Sequence, residues 1–335
     1  MSGVQKIEVN AGDDGARLDR WFKRYFPHVG FGQLQKLMRN GDIRLDGKRV
    51  KGKEKVSAGQ IVRVPPLDDA PTGPQKAPKM RLTDAMIEEV MSWVLYKDED
   101  VIAINKPAGL PTQGGTGQVR HLDGMLDGLR FGGKFRPRLV HRLDKDTSGV
   151  LLLGRTPKAA GALAAAFQTK ETDKRYFALV KGVPSPADGR IQLLMEKAPI
   201  KGNERMVVSP DGKRSVTDYA VVERAAREAS WLSLKPHTGR THQLRLHCAE
   251  MGTPIIGDGK YGGSESFLTG PISRKMHLHS RFITFPPPDG SGALTITDPL
   301  HEHMAASLDS LCLTLSQSGA YSMVGDRWQE TRTQW

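Results

Sequence analysis

Cysteine is scarce in this sequence. Of its 335 residues only Cys248 and Cys312 are cysteines, and they do not form a CxxC pair. Disulfide frameworks and cysteine-based zinc sites are therefore not expected, and a reducing cytoplasm is the predicted compartment. The sequence also lacks any run of about 18 apolar residues, so no membrane span is expected. Residues 1–12 lack the apolar core of a secretory signal.

Acidic residues are also in deficit. Lys and Arg together number 49 against 37 for Asp and Glu, which leaves a net charge of +12 and a pI near 9.7. A basic excess of this size favours a polyanionic partner, because binding releases condensed counterions. Hydrophobic content of 38% with 26% charged residues is typical of a soluble globular protein. The length suggests two domains at about 150 residues each.

A dense polar cluster, residues 141–149, is followed directly by the aliphatic run 150–153. The aliphatic run predicts a fully buried strand. The cluster would then lie at the rim of the core, where a carboxylate and an arginine are costly to hold unless they are paired. Charged groups in such a position are often catalytic, so the cluster is a candidate active site. A turn with a structural salt bridge is the simpler alternative.

Residues 16–66 have the pattern of a small α/β module. Apolar residues at Leu18, Phe22 and Phe26 predict one helix, and a second apolar face ends at Asn40–Gly41, a good helix stop. Asp46–Gly47 predicts a hairpin turn, and residues 61–64 predict a closing strand. Residues 1–14 are expected to be a loose lead-in.

The rest of the chain divides at proline and at changes of composition. The proline-rich stretch 67–81 predicts a semi-rigid linker, residues 82–300 a second domain, and residues 301–335 a C-terminal tail. Short β-like runs alternate with polar segments and one predicted helix at 159–170. This pattern predicts an α+β fold with a mixed, mostly antiparallel sheet. The predicted strands are 101–104, 150–153, 176–180, 216–222 and 231–234.

Several motifs of the second domain, in their order along the chain, resemble those of the RNA pseudouridine synthases. Residues 141–149 match the pattern HRLD-x-D-T-S-G, residues 105–110 read NKPAGL, and residues 239–247 read GRTHQLRLH. The resemblance covers about residues 90–290, and several ordered motifs are more specific than any one of them. It implies the pseudouridine synthase fold and an isomerase that converts uridine in RNA to pseudouridine. The other matching segments are 174–182, 257–262, 278–279 and Phe285.

The resemblance implies a role for four residues of the second domain. Asp144 is the expected catalytic carboxylate, and Tyr176 the tyrosine that stacks on uracil or relays a proton. Arg245 is the expected basic partner, since a carboxylate in a water-poor pocket needs a nearby cation to stay ionised, and its fork can bind a carboxylate bidentately. Arg142 is expected to fill the space left by the flipped uridine or to clamp a phosphate. His141 receives no role.

The first module resembles an S4 RNA-binding domain, with RLD at residues 17–19 and G-x-I-R-L-D-G-K at residues 41–48. Its basic residues are expected to contact phosphates, which position RNA rather than read its sequence. A solvated charged surface is the alternative. The residues expected to contact RNA are Lys36, Arg39, Arg44, Lys48 and Arg49.

The spacing of residues argues against two other kinds of site, a glycosidase pair of carboxylates and a histidine metal site. Asp144 and Asp146 could be a glycosidase pair of carboxylates, but the Thr-Ser-Gly that follows favours a turn in which Asp146 bonds backbone amides. His237, His242 and His247 recur every five residues, a spacing that does not converge on a metal, so local hydrogen bonds or RNA contacts are expected. No metal and no cofactor are expected, since pseudouridine formation involves no redox change.

The sequence thus predicts a pseudouridine synthase that acts on large-subunit ribosomal RNA, or on its assembly intermediate, as a cytoplasmic monomer without an obligate protein partner. Three alternatives remain open. They are a pseudouridine synthase acting on tRNA, a non-catalytic rRNA-binding assembly factor for which Asp144 is dispensable, and a hydrolytic N-glycosidase that would release uracil. Asp144 could attack C1′, take a proton from C2′ or add to C6 of the base; the sequence does not choose among these.

Overall fold

The computed structural model describes residues 4–67, 82–114, 120–200, 203–313, 320–324 and 327–331. The chain divides into two compact units, Met1–Lys79 and Met80–Trp335. Apart from Leu67, the predicted linker at 67–81 lies outside the described residues. None of the described helices is long and apolar enough to cross a membrane.

The first unit is a four-stranded sheet with two helices. Its strands pair in the order β1-β4-β2-β3, and Leu18 of α1 and Leu34 of α2 are buried in its core. The expectation of a loose lead-in at residues 1–14 is wrong: β1 pairs antiparallel with β4, and Val9 after it is buried. The elements in chain order are β1 (Gln5–Glu8), α1 (Leu18–Tyr25), α2 (Phe31–Asn40), β2 (Arg44–Leu45), β3 (Lys48–Arg49) and β4 (Ile61–Val64).

Two glycines set the turns of this unit. Gly41 ends α2 with φ of 80°, and its backbone N–H bonds to carbonyls of the last helical turn. Asp46 and Gly47 both have positive φ, 48° and 77°, and connect β2 to β3. A two-residue hairpin loop with positive φ at both positions matches the natural twist of the strands. The helix stop and the hairpin predicted from the sequence are therefore confirmed.

The second unit is built on an 11-stranded, mostly antiparallel sheet, as predicted. Nine strands follow the order β11-β10-β12-β13-β9-β14-β8-β6-β5, with β15 paired to β14 and β7 paired to β8. A separate hairpin, β16–β17, follows near the C-terminus. The strands are β5 (Val94–Lys97), β6 (Val101–Lys106), β7 (Arg138–Leu139), β8 (Ser148–Gly154), β9 (Asp173–Lys181), β10 (Asp188–Ile200), β11 (Asn203–Val208), β12 (Lys213–Ala225), β13 (Ala229–Pro236), β14 (Leu278–Phe285), β15 (Leu294–Thr297), β16 (Ala320–Val324) and β17 (Arg327–Thr331).

The described helices of the second unit are short. The helix predicted at 159–170 begins two residues earlier, at Pro157, because the Thr156 side chain caps it by accepting from the Ala159 N–H. The tail expected from residue 301 contains a helix, and its Met304 and Leu308 are buried in a core cluster. The packed unit therefore extends past the predicted end at 300. The helices are α3 (Asp84–Ser92), α4 (Leu122–Met125), α5 (Pro157–Thr169), α6 (Gln243–Glu250) and α7 (Glu302–Ser310).

Strands β8, β14 and β9 meet directly behind the polar cluster. Every residue of β8 is buried, as the aliphatic run predicted. Gly149 has φ of 107°, and a Cβ at this position would lie 2.3 Å from the Ser280 carbonyl oxygen on β14. Only glycine fits so close to a neighbouring backbone. This close approach sets where the loop that carries Asp144 enters the sheet.

A buried polar chain runs beneath that loop. The Ser148 hydroxyl lies 2.9 Å from Nδ1 of His279, and Nε2 of His279 lies 3.5 Å from Oδ2 of Asp298. All three side chains are fully buried, and neither carboxylate oxygen of Asp298 has a hydrogen-bond partner in the described part of the chain. Burial raises the pKa of Asp298 to about 7 and lowers that of His279 to about 3.

The raised pKa of Asp298 makes the stability of this unit depend on pH. The folded state holds a proton that the unfolded state releases between about pH 4 and pH 7, so this contribution to stability is lost as pH rises through that window. Asp298→Asn keeps a donor in place of the protonated acid and removes the titration. We expect thermal unfolding to give the variant a melting temperature that rises relative to wild type by about 2–5 °C between pH 5 and pH 8. A pH-independent difference would contradict this assignment.

Candidate functional site

One cleft of the second unit brings together the four residues that sequence analysis singled out there. Its volume is about 1110 Å³, and Arg142, Asp144, Tyr176 and Arg245 all line it. They come from the loop before β8, from β9 and from α6, so segments about 100 residues apart in the sequence meet on one wall. The cleft is wide enough for a base and its flanking backbone.

Asp144 lies in a loop that is tied to the NKPAGL segment. The Gly109 N–H of that segment donates to the Lys145 carbonyl at 2.9 Å, and the Thr112 hydroxyl just after it donates to the Leu143 carbonyl at 2.7 Å. Within the loop, the Thr147 N–H donates to the Asp144 carbonyl at 3.2 Å. The Asp144 side chain remains 27% exposed, so it can reach a ligand in the cleft. The predicted turn is present, but it is closed by backbone groups. Among the described residues, the Asp146 carboxylate makes no hydrogen bond, contrary to expectation.

Lys106 is a residue of this site to which sequence analysis gave no role. Its fully buried Nζ donates to the carbonyls of Pro107, Leu110 and Lys145, at 2.8, 2.8 and 3.1 Å. Burial lowers the pKa of Lys106 to about 7, opposed by the carboxylates of Asp146 and Asp144. The three carbonyl oxygens occupy all three donors of an ammonium, which favours the charged form. The sequence signal that could have indicated this role is a lysine placed directly at the end of an apolar strand.

Tyr176 lies on β9 next to Ser280 of β14 and faces the cleft. Burial raises the pKa of its hydroxyl to about 12, and the negative charge of Asp144 adds to the rise. The phenol is therefore protonated at neutral pH and close enough to Asp144 to sense its charge. It offers an aromatic face and one proton to a bound base.

Arg245 does not bind Asp144 in this structure. Its guanidinium forms two hydrogen bonds with Asp258, Nε to Oδ2 and Nη2 to Oδ1, both at 2.7 Å. Both side chains are buried, and Asp258 also accepts from the Lys260 N–H. The sequence predicted Asp144 as the carboxylate partner of Arg245, and this is wrong. Arg245 instead binds Asp258 bidentately, because α6 places its guanidinium against the Gly257–Asp258 turn. Asp144 still acts on Arg245 at longer range, since its charge helps to raise the pKa of Arg245.

Each of the three regularly spaced histidines makes a side-chain hydrogen bond, but the partners lie 19 to 32 positions away rather than nearby in the sequence. His237 Nε2 lies 2.6 Å from Oδ2 of Asp218, and His247 Nε2 lies 2.8 Å from the Ser215 hydroxyl. His242 Nδ1 lies 2.9 Å from the Tyr261 hydroxyl. Among the described residues, no group of three or more His, Cys, Asp or Glu side chains is placed to hold a metal ion.

The first two residues of the motif have different environments: the His141 ring is packed against its neighbours, and the Arg142 side chain is exposed. His141 Nε2 accepts the Leu152 N–H at 2.9 Å, and its ring stacks on Phe167 with centroids 4.4 Å apart. Burial lowers the pKa of His141 to about 3, so the ring is neutral and structural. Arg142 is exposed and makes no salt bridge among the described residues. Its guanidinium can therefore engage a ligand.

The first unit carries its own set of exposed basic residues. Arg44 lies opposite Arg49 on β3 and Arg63 on β4, and its guanidinium donates to the backbone carbonyls of Gly41 and Gly47. Like charges directly opposite one another destabilise a sheet unless an anion lies between them. The other predicted contacts are exposed and make no salt bridge in the described part of the chain; they are Lys36, Arg39, Lys48 and Arg49.

Comparison with known proteins gives the same family at three levels. Residues 100–250 match the family model described as RNA pseudouridylate synthase. "Ribosomal large subunit pseudouridine synthase C" of Vibrio vulnificus is 32% identical over 92% of this chain and 96% of that protein, and its Escherichia coli counterpart is 33% identical over 92% and 97%. "RNA pseudouridine synthase 4, mitochondrial" of Arabidopsis thaliana is 35% identical over 80% of this chain and 70% of that protein. The structure titled "Human RNA Pseudouridylate Synthase Domain Containing 4" aligns with a TM-score of 0.59 and 26% identity, over 69% of this chain and 97% of that one.

Proposed function

The chain belongs to the RNA pseudouridylate synthase family, and from this premise we propose that it isomerises selected uridines of large-subunit ribosomal RNA to pseudouridine. The observation that carries the proposal is Asp144, a partly exposed carboxylate held by backbone hydrogen bonds at the wall of a cleft with Tyr176 and Arg142. The relatives from Vibrio and Escherichia coli, whose names give the ribosomal large subunit, support the choice of substrate. We also propose that RNA is its partner, that no protein partner is obligatory, and that the chain acts as a monomer in the cytoplasm.

The reaction needs no cofactor because it conserves atoms and electrons. The N1–C1′ bond of uridine breaks, the base turns, and a C5–C1′ bond forms. One proton leaves C5 and N1 gains one. Asp144 acts either as a nucleophile at C1′ or as the base that takes a proton from C2′, with addition to C6 as a third route. In each route the carboxylate must lie within reach of the flipped nucleotide, which its place in the cleft allows.

Tyr176 and Arg142 are the proposed handlers of the flipped uridine. The protonated Tyr176 hydroxyl can relay the proton that leaves C5, and its ring can stack on the uracil. Arg142 is exposed at the cleft, where a planar guanidinium can fill the gap in the base stack or clamp a phosphate. Arg245 contributes indirectly: it binds Asp258 and lies over the ring of Tyr261, and so helps to hold the wall of the cleft in place.

Basic surfaces on both units support RNA as the substrate. A second cavity of about 460 Å³ adjoins the cleft and shares Lys145, His242 and Arg245 with it. Three further cations line this cavity, Lys260, Arg274 and Lys275. They suit the phosphates that flank a flipped nucleotide. We propose that residues 16–66 form an S4-like RNA-binding domain, that residues 67–81 link it to the catalytic domain from residue 82, and that this tether raises the local RNA concentration.

We expect Asp144→Asn to abolish pseudouridine formation while RNA affinity stays within about twofold, because the amide neither attacks carbon nor accepts a proton. The measurement is a direct pseudouridine assay on unmodified large-subunit rRNA. Glu171→Gln is the matched control, since it makes the same carboxylate-to-amide change at an exposed residue that also lines the cleft, and it is expected to retain most activity. Conversion by the Asp144→Asn protein would contradict the assignment. Release of free uracil by wild type would instead indicate a hydrolytic glycosidase.

Charge reversal in the first unit should weaken RNA binding without changing the chemistry. We expect the double substitution Lys48→Glu and Arg49→Glu to lower rRNA affinity by about tenfold or more near 150 mM salt and to flatten the salt dependence of binding, since phosphate contacts are lost. Lys23→Glu, an exposed position on α1, is the control. The maximal rate at saturating RNA should be unchanged. Equal affinities across a salt titration would remove these residues from the RNA interface.

A further inference from the structure

Asp144 has one basic side chain within 4.0 Å in the described part of the chain, and it is not Arg245. His242 Nε2 lies 4.0 Å from Oδ2 of Asp144, whereas Asp258 occupies the edge of the Arg245 guanidinium formed by Nε and Nη2. The immediate neighbour of the carboxylate is therefore an imidazole. Hydrogen bonds around a catalytic group are often long before substrate binds and shorten in the complex.

The hydrogen bonds around Tyr261 indicate which nitrogen of His242 carries the proton. The Met206 N–H donates to the Tyr261 hydroxyl oxygen at 3.2 Å, and the same hydroxyl lies 2.9 Å from Nδ1 of His242. Burial raises the pKa of Tyr261, so its own proton stays in place and needs an acceptor. Nδ1 is that acceptor. The neutral ring then carries its proton on Nε2, the nitrogen that faces Asp144.

The backbone of His242 supports a functional role. His242 precedes the first residue of α6 with φ of 52° and ψ of 22°, a left-handed conformation that residues other than glycine seldom adopt. Strain of this kind collects at functional sites, where the surroundings hold it in place. The ring meets Tyr261 edge-on at 5.6 Å, and Tyr261 is itself held beneath the guanidinium groups of Arg205 and Arg245.

Burial of His242 favours a neutral ring. Burial lowers its pKa below the ordinary value; the two nearby cations lower it further, and the two nearby carboxylates raise it. A neutral donor can orient a carboxylate without holding it in a fixed ion pair. The second carboxylate oxygen then remains available to the substrate. The groups that face His242 are Asp144, Arg245, Lys260, Asp258 and Tyr261.

We propose that His242 is the positioning residue of Asp144, with Tyr261 selecting the tautomer that donates Nε2–H to the Asp144 carboxylate. This inference rests on the proposed function and adds a residue to its machinery. His242 orients the carboxylate toward the sugar, and Tyr261 acts one step further away. Neither residue takes part in bond making.

The first test compares His242→Leu with His242→Gln. We expect His242→Leu to lower the single-turnover rate constant for pseudouridine formation by about 10²-fold, the loss typical of one preorganised donor, with RNA affinity unchanged. His242→Gln keeps an N–H donor near the position of Nε2 and should recover the rate to within about tenfold of wild type. A purely structural role would leave the two variants equally impaired. A wild-type rate for His242→Leu, or equal rates for both variants, would overturn the proposal.

The second test uses Tyr261→Phe, which keeps the ring and the cation contacts but removes the hydroxyl that selects the tautomer. We expect a loss of about tenfold alone and no further loss when it is combined with His242→Leu, because both substitutions remove the same hydrogen bond. Tyr219→Phe is the control: it removes a buried hydroxyl that bonds to the Pro186 carbonyl and should have no effect. Multiplicative losses in the double variant would overturn the proposal. If the wild-type protein forms no pseudouridine, both the proposed function and the role of His242 fail. If only the His242 variants give the contradicting result, the proposed function still stands and is tested separately by Asp144→Asn.

Discussion

The arrangement of the cleft depends on the hydrogen bonds of one buried ammonium group. Lys106 lies at the end of β6, and its three donors reach the carbonyls of Pro107, Leu110 and Lys145. A buried charge is tolerated only when its hydrogen bonds are made, so these carbonyls must converge on one point. Asp144 is the residue before Lys145, and its backbone position follows from that convergence. The close approach of Gly149 to Ser280 fixes the other end of the same loop.

The charged groups of the cleft do not all pair with one another. Asp258 binds the Nε and Nη2 edge of Arg245, which stabilises the turn after α6. Among the described residues, no lysine or arginine forms an ion pair with Asp144. Asp144 instead faces the imidazole of His242 at 4.0 Å. A carboxylate locked in a bidentate ion pair would have fewer lone pairs for the substrate. The observed arrangement keeps Asp144 oriented and accessible, while Tyr176 and Arg142 supply the aromatic and cationic surfaces around it.

Local patterns predicted much of the fold and missed particular parts for physical reasons. The helix at Leu18, the hairpin at Asp46–Gly47 and the buried strand β8 each follow from spacing or turn chemistry within a few residues. Strand β1 was missed because its four residues are mostly exposed and take their structure from pairing with β4. Helix α7 was missed because its apolar residues find their partners in distant strands.

The sequence by itself determined the family, the α+β class and the identity of the candidate carboxylate, because these are carried by short motifs in a set order and by local periodicity. Only the tertiary structure decided which groups surround that carboxylate. Asp258 takes Arg245, Lys106 holds the loop, and His242 faces Asp144, although these residues are separated by up to about 150 positions in the chain. Hydrogen bonds and ion pairs depend on distances of a few ångströms, and those distances are set by how β6, β8 and α6 pack together rather than by spacing along the sequence.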